Sequence, residues 1–115
     1  MKPVIVDSEE KDWEQHPLAK DVLRKTLVSK KEHNANVTCF LVKIKKGAKI
    51  PEHVHEQDDI IFVLSGKCKM WIENVGEIKL KEGMVVFVPR GTKHTGAYDV
   101  EEDIICFDIF NPATL

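Results

Sequence analysis

The sequence predicts an all-β protein, arranged as a sandwich or a barrel. Three observations support this: the β-rich segments are short, they recur at roughly ten-residue spacing, and Gly or Pro residues separate them. A parallel α/β fold would need strands that alternate with helices, and the chain shows no such alternation after residue 37. Neither an internal repeat nor a linker divides the chain, so we expect one domain.

Residues 1–36 are predicted to form an N-terminal extension of strand and turn. Residues Ser8 to Lys11 resemble a capped turn or a single helical turn. Residues 18–29 fit neither the helical period nor strict alternation well, and we favour a strand there. The polar residues 32–36 indicate a turn.

Residues 37–115 are predicted to form a barrel of short strands. Cys68, Met70 and Ile72 alternate with charged and aromatic residues, which is typical of a half-buried strand. The predicted strands cover residues 37–46, 60–64, 67–73, 77–80, 85–88, 94–98 and 104–110. Four glycines fall at strand ends, where tight turns require a positive φ: Gly47, Gly66, Gly83 and Gly91.

Composition and charge exclude several function classes. The chain has 115 residues and a net charge of -2, without the basic surface of a nucleic-acid binder. No apolar run approaches the roughly 20 residues of a membrane span, and the N-terminus lacks the apolar core of a secretion signal. Cys39, Cys68 and Cys106 are odd in number and far apart, which favours free thiols in a reducing compartment. We therefore expect a cytoplasmic protein with neither nucleic-acid nor membrane partners.

A group of histidines carries the clearest chemical signal. His53 and His55 are two residues apart, so on an extended chain both imidazoles leave the same face. Asp59 keeps this parity if the strand is regular, and His94 must come from another strand that closes the site across the fold. Three imidazoles and a carboxylate suit one divalent first-row metal per chain: Mn, Fe, Co, Ni, Cu or Zn.

Two segments that contain these residues resemble the paired motifs of the cupin superfamily. The first motif, G-x5-H-x-H-x3,4-E-x6-G, is matched from Gly47 to Gly66; the second, G-x5-P-x-G-x2-H-x3-N, is matched from Gly83 to Tyr98. The resemblance implies a double-stranded β-helix, or jelly-roll barrel, around an enclosed cavity. It also implies four metal ligands: His53, His55, Asp59 and His94.

The chain departs from these motifs at two positions. Asp59 stands where glutamate is usual, and Tyr98 stands where the last asparagine is usual. Aspartate reaches about 1.5 Å less far, so Asp59 ligates directly only if its strand lies closer to the ion, and otherwise acts through a water. Glu56 and Asp58 are nearby substitutes if the backbone bulges. Tyr98 replaces no expected ligand.

The C-terminal segment suggests two further site residues. Asp108 and Phe110 share parity, so a cavity-facing strand would place Asp108 near the ion as a general base and Phe110 in an apolar wall. Residues 107–112 resemble the ending of small cupins that linearise unsaturated uronates from pectin and alginate, which implies active-site roles for both residues. An arginine that follows in that group is absent, and Thr114 lies near its place. The alternative is a solvated Asp108 and a core Phe110.

Two function classes stay open at this point. The first is a metal-dependent enzyme acting on a small polar metabolite, with a sugar acid or a related carbonyl compound as the substrate class. Its metal would be a Lewis acid or, if iron, would bind dioxygen, so lyase, isomerase and dioxygenase chemistry are not distinguished. The second is a non-catalytic cupin that binds or senses a small ligand.

The sequence also suggests surface features. We expect a homodimer, because an edge strand at residues 68–73 can pair across a two-fold axis with Trp71 in the contact. Three cations are candidates for contacting an anionic substrate: Lys43, Arg90 and Lys93. For Arg90 and Lys93, in the turn before His94, a solvated surface position is the more common alternative. Two histidines outside the motifs are expected at the surface: His16 and His33.

Overall fold

The computed structural model describes residues 2–17 and 19–115. Its helices are a 3-10 helix at Ser8–Glu10 and α1 at Lys30–His33. Its strands are β1 (Glu14–Gln15), β2 (Val22–Val28), β3 (Thr38–Ile44), β4 (Asp58–Ser65), β5 (Lys67–Ile72), β6 (Gly76–Lys81), β7 (Val85–Val88) and β8 (Ile104–Asn111). The predicted all-β class is confirmed. No helix among the described residues has both the length and the apolar character needed to cross a bilayer.

The larger sheet has six antiparallel strands in the order β1-β2-β3-β8-β4-β7. Alternation sets its two faces: Phe40, Val42 and Ile44 of β3 are buried, while the residues between them are only half-buried. The N-terminal extension joins this sheet, since Val22 of β2 pairs with Ile44. The inner face of the sheet thus forms one wall of the core.

The second layer combines a hairpin with two extended segments. Strands β5 and β6 pair with each other, and β5 also bonds to residues 93–98 through Lys69 and Tyr98 (N···O 2.9 Å in both directions). Residues 50–53 then pair with residues 94–97 on the other side. Packed against the larger sheet, this layer completes a jelly-roll barrel, as predicted.

Some local expectations need correction. Residues 32–36 are not simply a turn, because Ser29 caps a single helical turn that ends at Asn34 in the left-handed conformation (φ 57°). Residues 94–98 form isolated bridges rather than a strand. Thr95 bonds to Trp71 and Tyr98 bonds to Lys69, so three residues of advance along this segment correspond to two along β5. The one extra residue interrupts the regular pairing. The strand favoured over 18–29 is confirmed for Val22–Val28, and Leu18 lies outside the described residues.

Glycine permits two features of this architecture. The four glycines expected in tight turns all have a positive φ, between 78° and 95°. Gly96 has a different role, because a Cβ atom there would overlap the side chain of Ile50. The segments that carry His53 and His94 therefore approach as closely as they do only with glycine at residue 96.

The outer face of the larger sheet is apolar at one end. Val85 and Phe87 of β7 are 57% and 56% exposed, and Phe62 and Leu64 of β4 lie beside them. Within the described residues, β7 pairs only with β4, so its other edge is open. By contrast, the strand at 68–73 that we expected at a dimer edge is paired on both sides.

Candidate metal centre

A backbone pair brings together the two halves of the histidine group. The amide of His53 donates to the His94 carbonyl (2.8 Å), and the amide of His94 donates to the His53 carbonyl (3.0 Å). Residues directly opposite in an antiparallel pair project their side chains to the same face. The ring centroids of His53 and His94 are accordingly 4.4 Å apart, and the His55 ring lies 4.5 Å from His53.

Backbone carbonyls define the tautomers of two of these imidazoles. The Nδ1 of His53 lies 2.8 Å from the Pro51 carbonyl, and the Nδ1 of His94 lies 2.8 Å from the Thr92 carbonyl. A carbonyl only accepts hydrogen bonds, so each Nδ1 carries the proton and each Nε2 keeps a free lone pair. The His94 Nε2 is buried and has no hydrogen-bond partner among the described residues. Its lone pair is therefore available to a metal ion.

The histidine nitrogens fit a divalent ion. One nitrogen from each of His53, His55 and His94 lies within 4.8 Å of the others. Imidazole nitrogens about 2.0–2.1 Å from one ion are separated by roughly 3–4 Å, so small side-chain rotations would close the set. These three residues can hold a metal.

Two imidazoles of the site, those of His55 and His94, favour their neutral form. Burial, followed by the charges of His53, His94 and His16, lowers the pKa of His55 to about 4. Burial is also the main cause that lowers the pKa of His94. Only neutral imidazole has a lone pair for a metal, so the surroundings prepare these side chains as ligands at neutral pH.

Two carboxyl groups, each with a buried oxygen, line the same cavity as the histidines. Asp59 is 3% exposed, and its Oδ2 lies 3.9 Å from the Nε2 of His55. Asp108 projects from β8 into the same cavity, and burial, then its interaction with Asp59, raises its pKa well above the ordinary value. One oxygen of each carboxyl is buried without a partner among the described residues. Unpaired buried oxygens are costly to the fold, which marks this region as built for binding.

A cavity of about 330 Å³ lies between the two sheets and contains all the predicted site residues. Phe110 lines it, with its ring 5.1 Å from His55 and 5.9 Å from Phe40. The other lining side chains are mostly aliphatic and include Val42, Val63 and Met70. The volume and the apolar wall are typical of a site for one small metabolite.

The expectations for Lys43 and His16 are wrong, whereas Arg90 and Lys93 are exposed, in line with the surface alternative. Lys43 lies on the other face of β3 from the cavity-lining Val42 and Ile44, and Arg90 forms a surface ion pair with Asp58 (3.2 Å). The carboxylate of Asp58 is thereby directed away from the histidines. His16, expected at the surface, is half-buried and lines the cavity.

Tyr98 and the three cysteines do not belong to the group of candidate metal ligands. Tyr98, at the variant motif position, donates to Glu77 (2.6 Å). All three cysteines are free, as expected, and Cys68 and Cys106 line the cavity. Burial raises the pKa of Cys68 to about 11 and raises that of Cys106 further, so both remain thiols and are poor nucleophiles.

Sequence reasoning missed Arg24, whose side chain lines the cavity from β2. The available signal was the two-residue spacing from Val22, which shares its face. That signal became usable only once β2 was known to be a strand, because alternation along residues 18–29 is weak.

The family assignment follows from comparison with known proteins. A family model described as a cupin domain matches residues 40–110, which is more than half of the chain. The chain is a cupin. This confirms the resemblance carried by the two motifs.

Individual proteins are also similar to this chain. An uncharacterized protein of Aquifex aeolicus is 36% identical over 87 residues, covering 75% of this chain and 69% of the relative. The structure of KdgF from Halomonas sp. is similar with a TM-score of 0.77 and 26% identity, over 96% of this cupin and 94% of that chain. A predicted oxalate decarboxylase from Thermotoga maritima has a TM-score of 0.82 at 20% identity, over 95% and 99% of the two chains, and this likeness shows the fold alone.

Proposed function

We propose that this cupin is a metal-dependent enzyme that acts on a small polar metabolite, with a sugar acid or a related carbonyl compound as the substrate class. The observation that carries the proposal is the convergence of three imidazoles with two buried, unpaired carboxyl oxygens in one small cavity. A purely structural barrel has no use for buried polar groups that lack partners.

In this proposal His53, His55 and His94 hold one divalent transition metal, and Asp59 is the fourth ligand, directly or through a water. When bound, the ion supplies Lewis acidity toward a carbonyl or hydroxyl oxygen of the substrate. The Nδ1 bonds to Pro51 and Thr92 hold two of the rings in the ligating orientation.

Asp108 is the proposed proton-transfer residue. Its carboxyl lies next to Asp59 in the cavity, and one of its oxygens is free for a substrate. Phe110 forms the adjacent wall and excludes water from that side. The tail that contains Asp108 and Phe110 resembles that of uronate-linearising cupins. This resemblance supports an unsaturated uronate as the first substrate to test.

The test combines metal analysis with turnover. Protein purified without added ions is expected to contain about one transition metal per chain and to consume an unsaturated uronate, followed by loss of the absorbance of its conjugated double bond. Asp108→Asn should lower turnover by about 10²- to 10⁴-fold, the usual contribution of a positioned acid or base, without loss of metal. Asp12→Asn, at an exposed position, is the matched control.

The outcomes separate the function classes. Tight binding of sugar acids without turnover would support the non-catalytic, sensing alternative. Uptake of oxygen by an iron-loaded protein would favour dioxygenase chemistry. A protein that retains no transition metal would contradict the proposal.

The proposal includes a homodimer and a cytoplasmic location. The open edge of β7 can pair with its copy in a second chain across a two-fold axis, and this would cover Val85 and Phe87. Three free cysteines suit a reducing compartment.

A further inference from the structure

Arg24 occupies an unusual position for a charged residue. It pairs with Val42 in the larger sheet, and its side chain leaves the inner face of β2, as does that of Val22. Of the residues found to line the cavity, Arg24 is the only arginine or lysine in the described part of the chain. The cavity therefore contains a single permanent positive charge.

The guanidinium of Arg24 has no acceptor of its own. Its central carbon lies 4.5 Å from the centre of the Phe40 ring, so one face of the group is stacked on an aromatic wall. Among residues 2–17 and 19–115 it makes no hydrogen bond and no ion pair, and Glu14, its neighbour across β1, acts on it only at longer range. Burial lowers the pKa of Arg24, as expected for a guanidinium that has lost part of its water. Arg24 is half-buried, and the part of its side chain that lines the cavity offers N–H donors to a ligand there.

An aromatic wall connects this charge with the histidine group. The Phe40 ring contacts Phe110 edge-on, with centroids 5.9 Å apart, and Phe110 contacts His55 in the same manner at 5.1 Å. Two phenyl rings thus separate the guanidinium from the proposed metal ligands. A ligand lying along this wall would have one end at Arg24 and the other at the histidines.

We propose that Arg24 binds the carboxylate of a small organic acid whose carbonyl or hydroxyl end lies at the histidine group. This rests on the proposed function, which supplies the histidine end. A planar guanidinium matches a carboxylate through two parallel hydrogen bonds. A phosphate dianion fits less well, because Arg24 offers it one cation while Asp59 and Asp108 supply acidic groups within the same cavity. Arg24 is thus a specificity-determining residue that selects acids over neutral sugars and esters.

The test compares D-galacturonate with its methyl ester, which lacks the negative charge and carries one added methyl group. Their dissociation constants are measured by calorimetry on the metal-loaded and on the chelated protein. The wild type is expected to bind the acid at least about tenfold more tightly, as is usual for a hydrogen-bonded charge pair. Arg24→Gln should remove this preference, and Arg24→Lys should retain only part of it, because an ammonium lacks the planar fork.

The control is Arg90→Gln, which removes the only other arginine, at the surface, and should keep the full preference. Circular dichroism and metal content verify that each variant is folded. An unchanged preference in Arg24→Gln would overturn the inference, as would a wild type that binds both compounds equally or binds neither at its solubility limit. A failure of the proposed function would appear separately, as missing metal or missing turnover, while the chelated protein still reports the preference for the acid.

Discussion

Each face of the six-stranded sheet contains exceptions to the usual distribution of polar and apolar side chains. The inner face carries Asp59 and Asp108, each with a buried, unpaired oxygen, whereas the outer face exposes Phe87 and half-exposes Phe62. Burying polar groups without partners and exposing large apolar groups both cost free energy in an isolated monomer. The difference shows that neither face is optimised for the stability of the lone chain. The inner face suits a ligand, and the outer face suits a protein surface.

The largest effect is expected from the inner side of the barrel, at His94. His94→Ala should lower metal affinity by more than about a hundredfold, because even the loss of a residue that only supports a ligand costs about 10- to 100-fold. Metal content after dialysis measures this. His33→Ala, outside the cavity, should leave the metal content unchanged. Full metal occupancy in His94→Ala would contradict the proposed role of His94 as a metal ligand.

Gly96→Ala tests how closely the two segments that carry His53 and His94 must approach each other within the second layer. The added methyl group would overlap Ile50, so we expect a loss of about 1–3 kcal/mol in the free energy of unfolding and a weaker metal site. Urea denaturation measures the loss. Combining it with Ile50→Gly, which removes all three overlapped atoms (Cβ, Cγ2 and Cδ1), should restore part of the stability relative to the sum of the two single variants. A fully additive pair would contradict the steric explanation.

Asp108→Asn, measured in the chelated protein, tests how much the Asp108 carboxyl group lowers the stability of the fold. Because a carboxyl group that burial drives toward its protonated form is replaced by an amide without charge at any pH, the free energy of unfolding at neutral pH should rise by about 1–2 kcal/mol. Asp108 has a folded-state pKa well above its value of 3.8 in the unfolded chain, so the folded state binds more protons between these two values. Stability of the wild type should therefore fall as pH rises through this window, and the variant should show a smaller fall. Equal pH slopes in chemical denaturation would contradict this account.

The smallest effect on stability is expected at the outer face. Phe87→Lys should change the free energy of unfolding by less than about 0.5 kcal/mol, since the side chain is exposed in the monomer. Its effect should appear instead in the molar mass measured by light scattering, which should fall from that of a dimer to that of a monomer. Val75→Lys, at an exposed position in the β5–β6 turn, is the control. A wild type that is already monomeric would refute the proposed role of this face.

The sequence predicted the fold and the histidine group because both depend on local patterns. The motif residues and turn glycines lie at regular spacings, and strand parity was enough to place Asp108 and Phe110 together. The position of Arg24 was not predictable, because it depends on the pairing of β2 with β3. The expectation for Lys43 failed because Lys43 lies between Val42 and Ile44 on β3 and therefore points to the opposite face. The adjacency of Asp59 and Asp108 also depends on strand order, since β8 lies beside β4 in space but far from it in sequence.

The reciprocal backbone pair between His53 and His94 has a consequence for how the protein assembles. These residues become neighbours only when distant parts of the chain have already met, so the unfolded chain offers at most the weak His53–His55 pair. An ion held by all three rings would then bind the native state selectively and raise the thermal midpoint in proportion to the logarithm of its concentration. A simple melting curve recorded at increasing metal concentration would consequently report on long-range folding and on occupancy of the centre in a single measurement.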